Sequence, residues 1–317
     1  MAQDWQESVD RWPRFEGIRT FMRLPYQPRP QATDFVVLGA PFDTAASYRS
    51  GARFGPEAIR RISSLLRPAN VHHRLRPLDI LTGVDGGDLP VIPGNTDRSH
   101  QLITDYLFPW ISAGAVPITL GGDHSIALPE LRAIAKHHGP VALIQFDAHA
   151  DTWDDYWGEK YTHGTPFRRA VDEGLIDATR STQIGMRGTV YSPDDMEEGA
   201  RLGFRVVTSE ETRVLGLAET MALARSRAAG GKVFVSFDID CLDPAYAPGT
   251  GTPEIGGFTT HEALQLVHGL TGLDFAGFDV VEVLPMLDVS EITALAGATM
   301  AFEFLSLMAQ QKVEAHS

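Results

Sequence analysis

The sequence has one cysteine, Cys241, among 317 residues. No intrachain disulfide can form, and a lone thiol fits a reducing compartment, so the cytoplasm is the expected location. Basic residues are also scarce: 27 Lys and Arg stand against 41 Asp and Glu, a formal net charge of −14. Nucleic acid is thereby an unfavourable partner, because phosphate binding needs clustered cations. A cationic small molecule suits the charge better, and part of the acidic excess disappears if carboxylates bind metal ions. The chain lacks a long uninterrupted apolar run, and its mean hydropathy of −0.10 gives no reason to expect a membrane span or a membrane partner. Asp4, Glu7 and Asp10 occupy the stretch where a secretory leader needs a basic start and an apolar run, so no leader is expected. There is no short internal repeat and no low-complexity tract.

What is present is strand–helix alternation. Residues 1–33 mix Pro, Arg and scattered aromatics and read as an N-terminal arm packed on the body or on a neighbouring subunit. Residues 34–317 read as a single catalytic domain. Within it DFVVLG, VPITLG, VALIQFD, TQIGMR, FRVVT, KVFVSFD and FAGFDVVEV are short β-rich runs. Helical stretches such as PEAIRRISSLLR, SIALPELRAIAKHH, LGLAETMALARSRAAG and EITALAGATMAFEFLSLMAQ stand between or after them. The strand runs are nearly continuous in apolar residues rather than alternating, as in strands buried on both faces of a parallel sheet. The expected fold is α/β, a three-layer α/β/α sandwich around an open, mostly parallel sheet. A closed (β/α)₈ barrel is the rival, which the long loops and irregular strand spacing disfavour.

In open α/β sheets ligands bind beyond the carboxyl ends of the strands. Four runs end there in polar clusters: VPITL in GGDHS, VALIQF in DAHAD, VFVSF in DIDCLDP, and FDVV in Glu282. In Asp147-Ala148-His149-Ala150-Asp151 the polar residues fall at i, i+2 and i+4, which an extended chain puts on one face. Asp238 and Asp240 repeat that spacing. With His124 the set is two imidazoles and four carboxylates, more than one tetrahedral zinc requires. Any one of these aspartates alone would more often cap a helix or close a turn; six residues in this arrangement make a metal centre. Two divalent ions balance four carboxylates. A ligand set rich in oxygen with two nitrogens favours Mn²⁺, with Ni²⁺ or Co²⁺ as alternatives. Two such ions roughly 3.5–4 Å apart can share a hydroxide nucleophile.

At these residues the sequence resembles the ureohydrolase family of arginases, agmatinases and guanidino-acid hydrolases. The matching strings are SYRSGARFGPEAIR, GGDHS, FDAHAD, HGTPFRR, SFDIDCLDPAYAPGTGTPEIGG, DVVEV and EITALAGATM. The resemblance implies an eight-stranded α/β/α fold, two Mn²⁺ ions, and hydrolysis of a guanidino group to urea and an amine. By position it puts His124 and Asp151 on one ion, His149 and Asp240 on the other, and Asp147 and Asp238 between them. It makes His163 the proton-shuttling histidine and Glu282 the carboxylate that orients the guanidinium. It also implies a homo-oligomer, a trimer or hexamer.

The substrate is less determined. The loop TWDDYWGEKYT lacks the Asn- and Ser-rich sequence of arginases and offers Trp153, Tyr156 and Trp157 as an aromatic wall, which resembles the agmatinase, guanidinopropionase and guanidinobutyrase branch. Asp154 and Asp155 are candidates to attract the ammonium of agmatine; Tyr156 or an arginine is a candidate to meet the carboxylate of 3-guanidinopropionate or 4-guanidinobutyrate. After Glu282 the run Val283-Leu284-Pro285-Met286-Leu287-Asp288 departs from the family. If Leu284, Met286 and Leu287 line the pocket, an N-alkylated guanidine or biguanide becomes the expectation, with Ni²⁺ an option. Two further readings are a non-catalytic subunit of a ureohydrolase complex and a single-zinc deacetylase-like hydrolase. Cys241 reads as a small core residue, and Arg168 and Arg169 as structural partners at the start of a helix.

Overall fold

The computed structural model describes residues 13–315. Eight strands pair in parallel throughout: β1 (Phe35–Gly39), β2 (Gly83–Asp88), β3 (Val116–Leu120), β4 (Ala142–Phe146), β5 (Thr182–Met186), β6 (Arg205–Thr208), β7 (Lys232–Asp238) and β8 (Asp274–Val281). Their order across the single sheet is β2-β1-β3-β8-β7-β4-β5-β6. The sheet is open and helices cover both faces. Residues 34–315 thus have the three-layer architecture expected from their unbroken apolar runs, in an all-parallel form.

Alternation along each strand divides its side chains between two cores. Phe35 and Val37 face α1 (Gly55–Ser63) and α9 (Ile292–Glu314), beside α7 (Leu217–Ala228) and α8 (Thr260–His268). Val36 and Leu38 face α2 (Thr96–Ser112), α3 (Ala127–His138) and α4 (Pro166–Asp172), where Trp110 and Phe167 are fully buried. Two short helices, α5 (Asp195–Leu202) and α6 (Ser209–Leu215), complete the β5–β6–β7 side. Gly216, at φ 86°, separates α6 from α7. By length and mean hydropathy (1.6) α9 could cross a bilayer, but 83% of that stretch is buried inside the protein, as in the core helix of a soluble domain.

Besides α6 and the single helical turn Pro77–Ile80, two further elements lie outside the pattern read from sequence. One is β2, whose GVDGGD has little strand propensity. Its glycines are demanded by packing: a Cβ on Gly83 would stand 2.1 Å from the Phe35 ring, and one on Gly86 would stand 2.6 Å from Leu38 Cδ2. The other is α2, where Asn95 caps the first turn by accepting from Arg98 N–H.

The segment read as an arm is described from residue 13. Phe21, Met22 and Leu24 are buried in the core of the body. Gln27 N–H donates to Asp85 O (2.9 Å) and Asp85 N–H to Pro25 O (3.0 Å), so the chain covers the exposed edge of β2. Below this edge Arg60 of α1 donates to both carboxylate oxygens of Asp85 (2.9 and 3.0 Å) and to Asp88 (2.5 Å). Phe21 N–H donates to the same Asp85 carboxylate (2.8 Å).

Candidate metal centre

The four central strands, β3, β8, β7 and β4, are neighbours in the sheet, and each delivers one polar cluster from its carboxyl end. Phe146 pairs with Phe237 across β4 and β7, which sets Asp147 beside Asp238. Close packing fixes the turn after β3: a Cβ on Gly122 would fall 1.8 Å from Phe42 O. His124 follows in a short 3₁₀ turn capped by Asp123, which accepts from Ser125 N–H. Asp151 and Glu282 both sit in left-handed backbone, at φ 51° and 62°. Such conformations cost roughly 1–3 kcal/mol each and persist where packing imposes them, often at functional sites.

All six predicted ligands meet. His124 Nδ1 lies 3.1 Å from Asp147 Oδ2, 2.8 Å from Asp151 Oδ2 and 3.2 Å from Asp238 Oδ2. His149 Nδ1 lies 3.1 Å from Asp240 Oδ2 and 3.5 Å from Asp147 Oδ1. The two oxygens of Asp147 therefore face different histidines, and two overlapping ligand groups result: His124, Asp147 and Asp151, and Asp147, His149 and Asp240. Two groups joined by one carboxylate suit a pair of ions, whereas a single-zinc site needs only one.

The hydrogen bonds behind these ligands test whether a cation belongs there. Ser236 Oγ–H donates to Asp279 (2.8 Å), so Ser236 Oγ accepts from His124 Nε2–H (2.7 Å). The opposite nitrogen, Nδ1, then turns a lone pair toward three carboxylates, and it completes no hydrogen bond; neither does Asp240 Oδ2. Acceptors facing acceptors in a buried site repel unless a cation stands between them. The carboxylates register the same crowding of negative charge. Burial and the neighbouring Asp240 and Asp147 charges push Asp238 well above the usual carboxylate range. Burial and Asp147 push Asp151 up to about 6. Divalent ions fit this donor set. Gln145 Nε2–H holds Asp147 Oδ2 (2.7 Å) and is itself held through Oε1 by Gln183 Nε2–H (2.6 Å).

Glu282 and His163 stand at the rim of the cluster. Glu282 Oε1 accepts from His124 N–H (3.0 Å) and lies 3.0 Å from His163 Nδ1. His163 Nε2 is met by Ser47 N–H (3.1 Å) and Ser47 Oγ (2.6 Å). Burial opposes charge on the ring, but Glu282, Asp151 and Asp123 raise its pKa to about 9. The cavity above the centre measures about 580 Å³. His149, Asp151, Asp238 and His163 form its floor; Trp153, Tyr156 and Trp157 one wall; Ser47, Tyr48 and Arg49, Thr189–Tyr191 and Thr252–Glu254 the remainder. Trp153 packs edge-on against Tyr156 at 4.6 Å.

Several expectations about the pocket need correction. Asp155 does not line the cavity: its carboxylate closes the loop by accepting from Gly158 N–H (2.8 Å). Asp154 is taken by Arg169, which approaches it closely. Leu284 is fully buried and Met286 and Leu287 are 65% and 41% exposed; none of the three lines the cavity, and the Met286 methyl lies against Gly51. The basis for an apolar, alkylguanidine-shaped pocket is thereby removed. Conversely, Arg49, Tyr191 and Glu254 also line the cavity; Arg49 lies within SYRSGARFGPEAIR and Glu254 within SFDIDCLDPAYAPGTGTPEIGG, whereas Tyr191 lies in none of the matching strings. Arg168 and Arg169 are structural, bonded to Glu198 and Asp154.

Beneath the GGDHS turn, His100 is fully buried, its Nε2 3.3 Å from Ser125 Oγ and its ring edge-on to Phe42 and Tyr161. Burial, with Arg132 adding a smaller effect, lowers its pKa to about 3. Between pH 6.5 and that value the unfolded chain binds a proton that the folded chain refuses, so stability falls as pH falls through this window. From pH 6.5 to pH 4 the loss is on the order of 3 kcal/mol. His100→Gln is expected to flatten the acid limb of a urea-denaturation series; an unchanged slope would show that His100 titrates normally.

The arginase family profile matches residues 33–306. The chain belongs to the arginase family. It is 49% identical to the guanidinopropionase of Pseudomonas aeruginosa over 98% of both chains. It is 47% identical to the mitochondrial agmatinase of Gallus gallus over 92% of this chain and 86% of that one. Among solved structures, the proclavaminate amidino hydrolase of Streptomyces clavuligerus superposes with a TM-score of 0.90 at 41% identity, covering 94% of this chain and 99% of that one. As an arginase-family member the chain is a hydrolase of amidine C–N bonds, and the family depends on a pair of metal ions. A non-catalytic role is disfavoured by the complete ligand set.

Proposed function

We propose that this arginase-family enzyme hydrolyses the guanidino group of a small guanidino acid, of the 3-guanidinopropionate or 4-guanidinobutyrate type, to urea and an amino acid. One observation carries the choice over agmatine. Among the described residues Arg49 is a cavity-lining cation with no carboxylate partner; its guanidinium lies over the Tyr48 ring, at 5.4 Å. The carboxylates that could have drawn an ammonium, Asp154 and Asp155, are committed elsewhere. Glu254 is the other charged group of the outer cavity, and it packs over Gly188. The identity to a guanidinopropionase supports the same reading.

In this reading His124, Asp147, His149, Asp151, Asp238 and Asp240 hold two Mn²⁺ ions, which Ni²⁺ or Co²⁺ could replace. When bound, the ions offset four carboxylate charges and activate water as a nucleophile at neutral pH. The chain does the rest. Glu282 has one oxygen held by His124 N–H and His163, and the other, Oε2, faces toward Gly251. A planar guanidinium docks against such a preset carboxylate through charge-assisted hydrogen bonds. His163 supplies the proton that the departing amine needs, and Ser47 and Glu282 hold its ring at both nitrogens. Trp153 and Tyr156 flank the substrate's methylene chain and keep water from it.

A urea-release panel tests the substrate. Guanidino acids are expected to be turned over faster than agmatine and arginine, and Arg49→Gln to raise KM for the guanidino acid by about 10-fold or more, the loss of one charged hydrogen bond, with kcat little changed. Faster turnover of agmatine than of either guanidino acid would overturn the choice. The resemblance supports a trimer or hexamer, which mass-resolved gel filtration decides, and the lone buried thiol supports a cytoplasmic location.

A further inference from the structure

Away from the catalytic centre, three histidines gather where nothing in the reaction uses them. His72 and His73 belong to the turn after α1, and His268 is the last residue of α8. Helices that connect parallel strands run against them, so the carboxyl end of α8 lies toward the strand-start edge of the sheet. That is the edge opposite the metal centre, on the order of 20 Å away at the rise of a strand.

The His72 and His268 rings stack at 3.7 Å with an interplanar angle of 8°, and His73 stands edge-on to both at 4.8 and 5.3 Å. One nitrogen from each lies within 4.8 Å of the others. Behind them Glu303 of α9 is buried, with Oε2 3.1 Å from His268 Nε2 and 3.8 Å from His73 Nε2. Asn70 organises this group: its amide donates to Glu303 Oε2 (2.8 Å) and Ser306 Oγ (2.9 Å), and its carbonyl accepts from His73 N–H (3.0 Å). His73 Nε2 is buried and completes no hydrogen bond. Burial lowers the pKa of His72 and of His73. Neutral imidazoles are the form that ligates metal.

We propose that His72, His73 and His268, with Glu303 as a fourth group, form a second cation site that takes a borderline transition ion such as Zn²⁺. Three nitrogens and one carboxylate oxygen make a typical zinc donor set, distinct from the oxygen-rich catalytic set that favours manganese. Stacked rings point their lone pairs along parallel lines, so ligation requires one ring to turn. His72 is exposed and free to do so. The ion would join the 70–73 turn to α8 and α9 and stiffen that edge of the domain.

The test uses the full-length enzyme loaded with Mn²⁺ and then titrated with ZnCl₂, with metals counted by mass spectrometry after desalting. Wild type is expected to gain one zinc per chain while keeping its manganese, and to melt at a higher temperature. His72→Gln and, separately, His268→Gln are expected to weaken that zinc by about 100-fold or more, since loss of an outer-shell partner alone costs about 10–100-fold. His72→Gln, at an exposed position, is expected to fold and to release urea at the wild-type rate. Failure of wild type to take up zinc, uptake only with equal loss of manganese, or equal uptake by both variants would each overturn the proposal.

Discussion

Asp238→Asn is expected to abolish urea release, by roughly 10³-fold or more, while making the metal-free protein more stable. The two effects have one cause. Asp238 is buried among Asp147, Asp240 and Asp151, and its raised pKa records the cost of charging it there. A carboxylate whose folded pKa is raised holds its proton when the unfolded chain has lost it. Metal-free stability therefore declines as pH rises from about 4. An asparagine removes that charge and keeps the geometry: its Oδ1 can still accept Asp240 N–H, now 2.8 Å from Asp238 Oδ1. Its amide can donate to the lone pair of His124 Nδ1, 3.2 Å from the present Oδ2. Lost metal affinity removes several kcal/mol of transition-state stabilisation. Metal content, urea release and melting with and without Mn²⁺ make the comparison. A variant that retains both ions and most of its activity would show that Asp238 is not a ligand.

Arg60→Ala is expected to lower folding stability by about 3–5 kcal/mol, the usual result of stranding one partner of a buried ion pair. Asp85 is 1% exposed and Arg60 8%. The guanidinium reaches both Asp85 oxygens and Asp88, and it also donates to Gly87 O (2.7 Å). Its loss leaves an unpaired carboxylate under the β2 edge and loosens the turn to residues 20–27. Arg60→Met with Asp85→Leu is expected to recover only part of the stability, because Phe21 N–H and Gly87 N–H then lose their acceptor. Equilibrium denaturation in urea reads both; a loss below 1 kcal/mol for Arg60→Ala would mean that water replaces the guanidinium.

The parts of the structure that could be read from the residues are those where one physical requirement dominates. Strands buried on both faces must be apolar, so VALIQF and VFVSF announced themselves. Ligands at i, i+2 and i+4 on an extended chain must share a face, so Asp147, His149 and Asp151 did too. β2 was hidden because its identity lies in its neighbours: GVDGGD is a strand only because Phe35 and Leu38 occupy the space its side chains would fill. The helix at 96–112 is hard to read although Ile103, Leu107, Trp110 and Ile111 carry helical spacing, because polar residues and Pro109 interrupt the pattern. In the cavity, spacing could not distinguish a carboxylate aimed at substrate from one closing its own loop, which is how Asp155 misled. Nor could it tell that Leu284, Met286 and Leu287 stay clear of the cavity.

The sheet order has a consequence for how the active site comes into being. β7 and β8 are made late, yet they fill the middle of the sheet, between β3 and β4. Until residues 232–281 arrive, nothing joins β3 to β4 in the sheet, and His124 and the 147–151 cluster are held on two separate halves. The contacts that join the halves are distant in sequence, 112 residues from His124 to Ser236 and 92 from Ala148 to Asp240, separations that slow folding because the loop must close before any pairing rewards it. The catalytic constellation is thus the final product of sheet closure. A nascent chain carries four of the six candidate ligands, His124, Asp147, His149 and Asp151, on incomplete edges, and the enzyme acquires the ability to bind a pair of metal ions at the same moment that it acquires its core.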